Sequence, residues 1–119
     1  MSKKLINLTT TTDDDTDIKY TGRFLGFLKD DEFNALTQNK KVAHKIESRE
    51  TKNFTDVCSV NDELEGKRLV MAIKKIDGKG IVGKKLFVTE KLDYITQVIG
   101  DEISVMTEDG THMEIEETN

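Results

Sequence analysis

The chain has 119 residues, with 18 Lys and Arg against 23 Asp and Glu, and neither proline nor tryptophan. A chain of this size builds one small core and leaves no room for a large, deeply clefted enzyme. One cysteine, Cys58, excludes an intramolecular disulfide and a multi-cysteine metal site. No run approaches the roughly 20 apolar residues of a membrane-spanning helix, so the expectation is a cytoplasmic protein with no membrane segment.

The modest net charge of −5 hides an uneven distribution: residues 1–89 carry a net +3 and residues 90–119 a net −8. Seven basic residues fall between Lys67 and Lys85 with Asp77 as the one acid among them. Of these, Lys74, Lys75, Lys79, Lys84 and Lys85 are candidates for phosphate contacts, because non-specific nucleic-acid binding rests on such charges. The acidic last thirty residues would repel the same phosphate backbone if they lay nearby. The alternative is a solvated sheet face on which Lys and Glu attract each other across strands.

Along the chain, the Thr- and Asp-rich stretch Thr9–Asp17 holds no apolar residue and four carboxylates, which predicts a flexible arm over residues 1–17 and one compact domain over residues 18–119. Its aspartates do not make a calcium loop, which needs alternating oxygen ligands, a turn glycine and a closing glutamate. Ile18–Lys29 reads as a strand apolar on both faces, with Tyr20, Phe24 and Leu28 on one side and Leu25 and Phe27 on the other. Gly22 and Gly26 mark bulges or close backbone approaches within it. A helix capped by Asp30 or Asp31 follows, with Phe33 and Leu36 at helical spacing. Val42, His44 and Ile46 alternate as a strand, although Phe33, Leu36, Ala43 and Ile46 also fit one helical face; the expectation is a short helix, then a strand.

Leu69–Ile73 reads as a buried strand, followed by glycine-containing turns at Asp77-Gly78, Lys79-Gly80 and Gly83 before Leu86-Phe87-Val88. These glycines form neither a P-loop nor a dinucleotide fingerprint. The last thirty residues predict a three-stranded meander. A turn at Gly100-Asp101 sets Val98 opposite Ile103 and Thr96 opposite Val105. A three-residue Glu108-Asp109-Gly110 loop, with Gly110 left-handed, sets Val105 opposite Met113 and Ile103 opposite Ile115. The predicted inner face is Tyr94, Thr96, Val98, Ile103, Val105, Met113 and Ile115.

The strand LVMAIKKI, the segment Gly83-Lys84-Lys85-Leu86-Phe87-Val88 and the Glu108-Asp109-Gly110 turn together resemble small SH3-like β-barrel proteins of bacteriophages and Gram-positive bacteria. Phe87 stands where that pattern has tyrosine, and Glu108 where it has aspartate. Over Leu69–Glu116 the resemblance implies a binding or assembly module with no catalytic residues to carry over. The expected fold class is therefore α+β, mostly β: an SH3-like small barrel or meander over about 67–117, with an N-terminal strand and a short helix.

Two histidines and one cysteine give little chemistry to work with. A lone Cys58 on an apolar strand behaves as a small hydrophobe. No zinc spacing joins it to His44 or His112, and the carboxylate pairs sit at capping and turn positions. The expectation is a non-enzymatic protein without metal or cofactor that contacts its partner through surfaces. The leading reading is a bacteriophage interaction protein that blocks or bridges a protein partner through a sheet edge, the acidic residues Asp101, Glu102, Glu108 and Asp109, and the apolar Phe24 and Phe27. The alternatives are a virion component whose arm is ordered by neighbouring subunits, and a nucleic-acid-binding module using Lys67–Lys85.

Overall fold

Alternating apolar residues punctuated by turn pairs produce a single antiparallel sheet. The computed structural model describes residues 5–11, 14–51, 54, 65–99 and 102–118, without the side chain of Lys84. Its elements are β1 (Leu5–Thr11), β2 (Asp17–Leu28), α1 (Asp30–Gln38), α2 (Lys40–Glu47), β3 (Arg68–Ile76), β4 (Lys79–Val88), β5 (Leu92–Ile99), β6 (Glu102–Thr107) and β7 (His112–Thr118). The strands lie in the order β4-β3-β2-β1-β7-β6-β5, and the mostly-β α+β class is as expected.

The connection from β4 to β5 decides the shape of the sheet. These strands occupy opposite edges, yet only Thr89, Glu90 and Lys91 separate Val88 from Leu92. Four extended residues reach about 14 Å, whereas six strand spacings in a flat sheet amount to about 29 Å. The sheet must therefore curl until its edges approach. The start of β5 then meets the segment leading into β3, where Gly66 N donates to Leu92 O (2.9 Å) and Leu92 N to Lys67 O (2.8 Å). No ladder joins β4 to β5, so the sheet remains open. The SH3-like barrel expected over 67–117 does not close on itself: β1 and β2, from the N-terminal part, stand between the β3–β4 hairpin and the β5–β6–β7 meander.

The flexible arm is corrected over Leu5–Thr11. Ile6 and Leu8 are buried on alternate positions, and β1 is hydrogen-bonded on both sides, to β2 and to β7, at the centre of the sheet. The threonines pair where isolated chain would be disordered; Thr11 donates to the Asp17 carboxylate (2.8 Å) across the hairpin. Long-range pairing by its two neighbours supplied what local composition lacked.

Inside the curl, Ile6, Leu8, Phe24, Leu69, Met71, Leu92, Ile103, Val105, Met113 and Ile115 form the main core, with Phe54 packed edge-on to Phe24 at 5.1 Å between ring centroids. On the outer side Leu25, Leu28 and Val70 pack with Ile46 of α2, flanked by Leu36 and Val42. β2 is thus apolar on both faces because it is covered on both. Its predicted faces are revised by a bulge: β2 shifts register against β3 between Phe24 and Gly26, and Gly26 takes φ 122°, a conformation that suits glycine. Phe24 and Phe27 consequently share the inner face, 5.3 Å apart, while Leu25 and Leu28 share the outer one.

Two local readings are also corrected. Residues 40–47 are helix, not strand: Asn39 caps α2 by accepting from Lys41 N (2.9 Å), and helical spacing brings Val42 and Ile46 onto the outer cluster. The N-cap of α1 is Lys29, with Asp30, Asp31 and Glu32 in the first turn where carboxylates favour the helix dipole.

Candidate protein-interaction surface

An open sheet leaves two edges whose backbone groups invite another strand, and proteins normally defend such edges with lysines, bulges and breaks in regularity. β4 is defended. It carries Lys79, Lys84 and Lys85, and between the pairs Lys75↔Gly80 and Ile73↔Lys85 it departs from β3, throwing out residues 81–84. β5 has no lysine. Its one charge is Asp93, and it exposes Tyr94 (54%), Val98 (61%) and Ile99 (62%), three of the four large exposed apolar residues among those described.

The exposure of Tyr94 and Val98 corrects their expected burial: Tyr94, opposite Met106, faces away from the core, whereas Val98, opposite Ile103, keeps the inner side of the sheet but is uncovered there. Two register shifts, between Leu92 and Tyr94 and between Ile95 and Gln97, replace strict alternation, so that Leu92 and Ile95 serve the core. Val98 does pair with Ile103 as predicted, but Ile95, not Thr96, stands opposite Val105, and Thr96 instead donates to Ser104 O (3.1 Å). The adjacent apolar pairs Tyr94-Ile95 and Val98-Ile99 were the available signal, since neither pair can sit on one face of a regular strand.

The second hairpin follows its predicted register, Val105↔Met113 and Ile103↔Ile115. Thr107 N donates to Thr111 O around the three-residue loop, and Gly110 is left-handed at φ 89°. The acids singled out in the sequence do not form one patch. Glu102 lies at one end of β6, and Glu108 and Asp109 in the turn at the other; Asp101 is outside the described residues. Asp109 is committed to its own turn. The Thr107 hydroxyl donates to its carboxylate, outweighing the opposing effect of desolvation, and Thr111 N adds a bond at 3.2 Å, so the carboxyl is held below its ordinary value.

A different acidic group is assembled by strand pairing. Glu102 stands opposite Glu116, and Glu114 opposite Ser104, all three glutamates being exposed on the face opposite the core. Sequence reasoning passed over Glu114 and Glu116 because it judged β7 by its inward members. The outer face then runs through Asn7 and Thr9 of β1 to Thr21 and Lys19 of β2 and to Lys75 of β3. Acid therefore occupies the β6–β7 half, and the exposed Lys74, Lys75, Lys79 and Lys85 the β3–β4 half. Phe24 is fully buried, which removes it from the contact surface, and Phe27 is partly buried against the core.

Cys58 lies outside the described residues, His44 is exposed on α2, and His112 is half-buried on β7. Among the described residues no three His, Cys, Asp or Glu side chains gather as a metal ion would require, and no helix is long and apolar enough to cross a membrane. Compared with known proteins, the chain matches no family model, no curated protein and no solved structure.

Proposed function

We propose that this chain is a non-enzymatic protein-interaction module of bacteriophage type whose β5 edge accepts an extended segment of a protein partner as an added strand. The observation that carries the reading is the contrast between the edges: β4 is lysine-rich and leaves the sheet over residues 81–84, whereas β5 has no lysine and presents Tyr94, Val98 and Ile99 on an edge that, among the described residues, no further strand covers. Strand addition draws affinity from main-chain hydrogen bonds and specificity from side-chain pockets. Glu102 on β6 and Glu114 and Glu116 on β7 give this half of the sheet a negative field that favours a basic segment, by charge complementarity that raises the association rate more than the affinity. In this role the module blocks or bridges its partner by occupying that segment.

The test is affinity capture from the native or infected cell lysate with wild-type and Val98→Lys baits of matched thermal stability. A stoichiometric partner held by the wild type and lost from the variant supports strand addition at β5. Equal recovery by both baits removes it.

A further inference from the structure

The basic half of the sheet holds a second feature, independent of the β5 edge. Where α2 ends at Glu47, an open cleft of about 510 Å³ lies between the helix terminus and the departed segment of β4, lined by Arg23, Glu47, Ala72, Ile73, Lys74, Ile81, Gly83 and Lys85. Its origin is local. Lys74 is the extra residue of a β3 bulge between the pairs Thr21↔Lys75 and Gly22↔Ile73, and β4 swings away over residues 81–84 just beside it. The volume falls within the roughly 300–1,000 Å³ typical of small-molecule pockets.

We propose that this cleft binds a phosphate ester, with the phosphate between Arg23, Lys74 and Lys85 and the organic part over Ala72, Ile73 and Ile81. Three cations line it against one carboxylate. Arg23 is half-buried, and its guanidinium donates to the main-chain oxygen of Glu47 at 3.2 Å. The helix end thereby fixes the guanidinium, and the rest of its planar fork can meet an oxyanion. Glu47 and the negative end of α2 repel an anion, which places the phosphate toward the lysine side. Two sources supply this chemistry: a mononucleotide, or a single-stranded nucleic acid whose further phosphates run on toward the exposed Lys75 and Lys79.

The experiment is titration of the isotope-labelled full chain with AMP and, separately, with oligothymidylate, followed by amide chemical shifts. Saturable shifts are expected at Arg23, Ala72, Lys74, Gly83 and Lys85, with β5 unmoved, and Arg23→Gln is expected to weaken binding about tenfold or more, the usual loss for a charge-assisted bond. Lys85 is exposed, so Lys85→Gln keeps the fold and should weaken binding in the same direction. Saturation by AMP identifies a mononucleotide site; saturation by the oligonucleotide alone, falling steeply with salt, identifies nucleic acid. Absence of saturable shifts with both probes, or unchanged affinity in Lys85→Gln, overturns the proposal.

Discussion

The main chain of β3 passes so close to Gly22 that a β-carbon built there would lie 2.0 Å from the carbonyl oxygen of Ala72. Backbone, not a flexible side chain, fills the space, and Ala72 belongs to the outer cluster under the helices. Gly22→Ala should therefore destabilise the chain by about 3 kcal/mol, at the upper end of overpacking costs. Gly80→Ala meets nothing within 4 Å and should stay within about 0.5 kcal/mol of wild type. Urea denaturation of the two variants checks the contrast; equal midpoints would contradict the close approach.

The pair Glu102↔Glu116 sets like charges directly opposite on adjacent strands, an arrangement that disfavours folding. Glu116→Lys converts it to an opposite-charge pair and should raise stability by about 0.5 kcal/mol at low salt. Both groups are exposed, so the gain should shrink toward zero near 1 M salt, where the screening length is about 3 Å. A gain unaffected by salt would assign the effect to packing.

Hydrogen bonds from Thr107 and Thr111 depress the Asp109 carboxyl. A folded value below the unfolded one means that the contribution to stability is present at neutral pH and is lost as pH falls through the folded value. Thr107→Val removes the largest cause. In that variant the Asp109 titration, followed by carboxyl NMR, should move up toward the ordinary range, and the stability difference from wild type should narrow in acid. An unmoved titration would show that the Thr107 hydroxyl does not act on Asp109.

Ile46 is buried at the last turn of α2 against Leu25, Leu28 and Val70. Ile46→Ala should cost about 2–4 kcal/mol, as large-to-small core substitutions do. His44→Ala, at an exposed position on the same helix, should change little. In a strand over 42–46 the two would share one face and respond alike, so the comparison by thermal denaturation also separates helix from strand.

Local chemistry made part of this fold legible. The Glu108–Gly110 loop fixed the β6–β7 register because one count of turn residues put Val105 and Ile103 against apolar partners. Gly22 and Gly26 both fall at register shifts, as glycines within a strand suggest. What could not be read was set by distant partners. β1 looks disordered until β2 and β7 flank it, and residues 40–47 alternate like a strand until the outer face of β2 and β3 supplies an apolar surface for Val42 and Ile46. At the candidate surface, a register shift after Leu92 turned Tyr94 outward and Val98 was left uncovered beyond the core, while Glu114 and Glu116 gained meaning only when pairing set them beside Glu102 and Ser104.

Val98→Lys places a charge on the exposed edge without touching the core, so its thermal stability should stay within about 0.5 kcal/mol of wild type. Scanning calorimetry of the two proteins checks this. A large loss of stability would mean that Val98 is covered within the chain itself.

The most direct measurement is amide hydrogen exchange of the full chain, free and in the captured complex. Strand addition predicts that β5 amides left unpaired in the free chain become slow to exchange in the complex while β4 is unchanged. Unaltered exchange throughout β5, with protection appearing elsewhere, would contradict the edge as the site of partner binding.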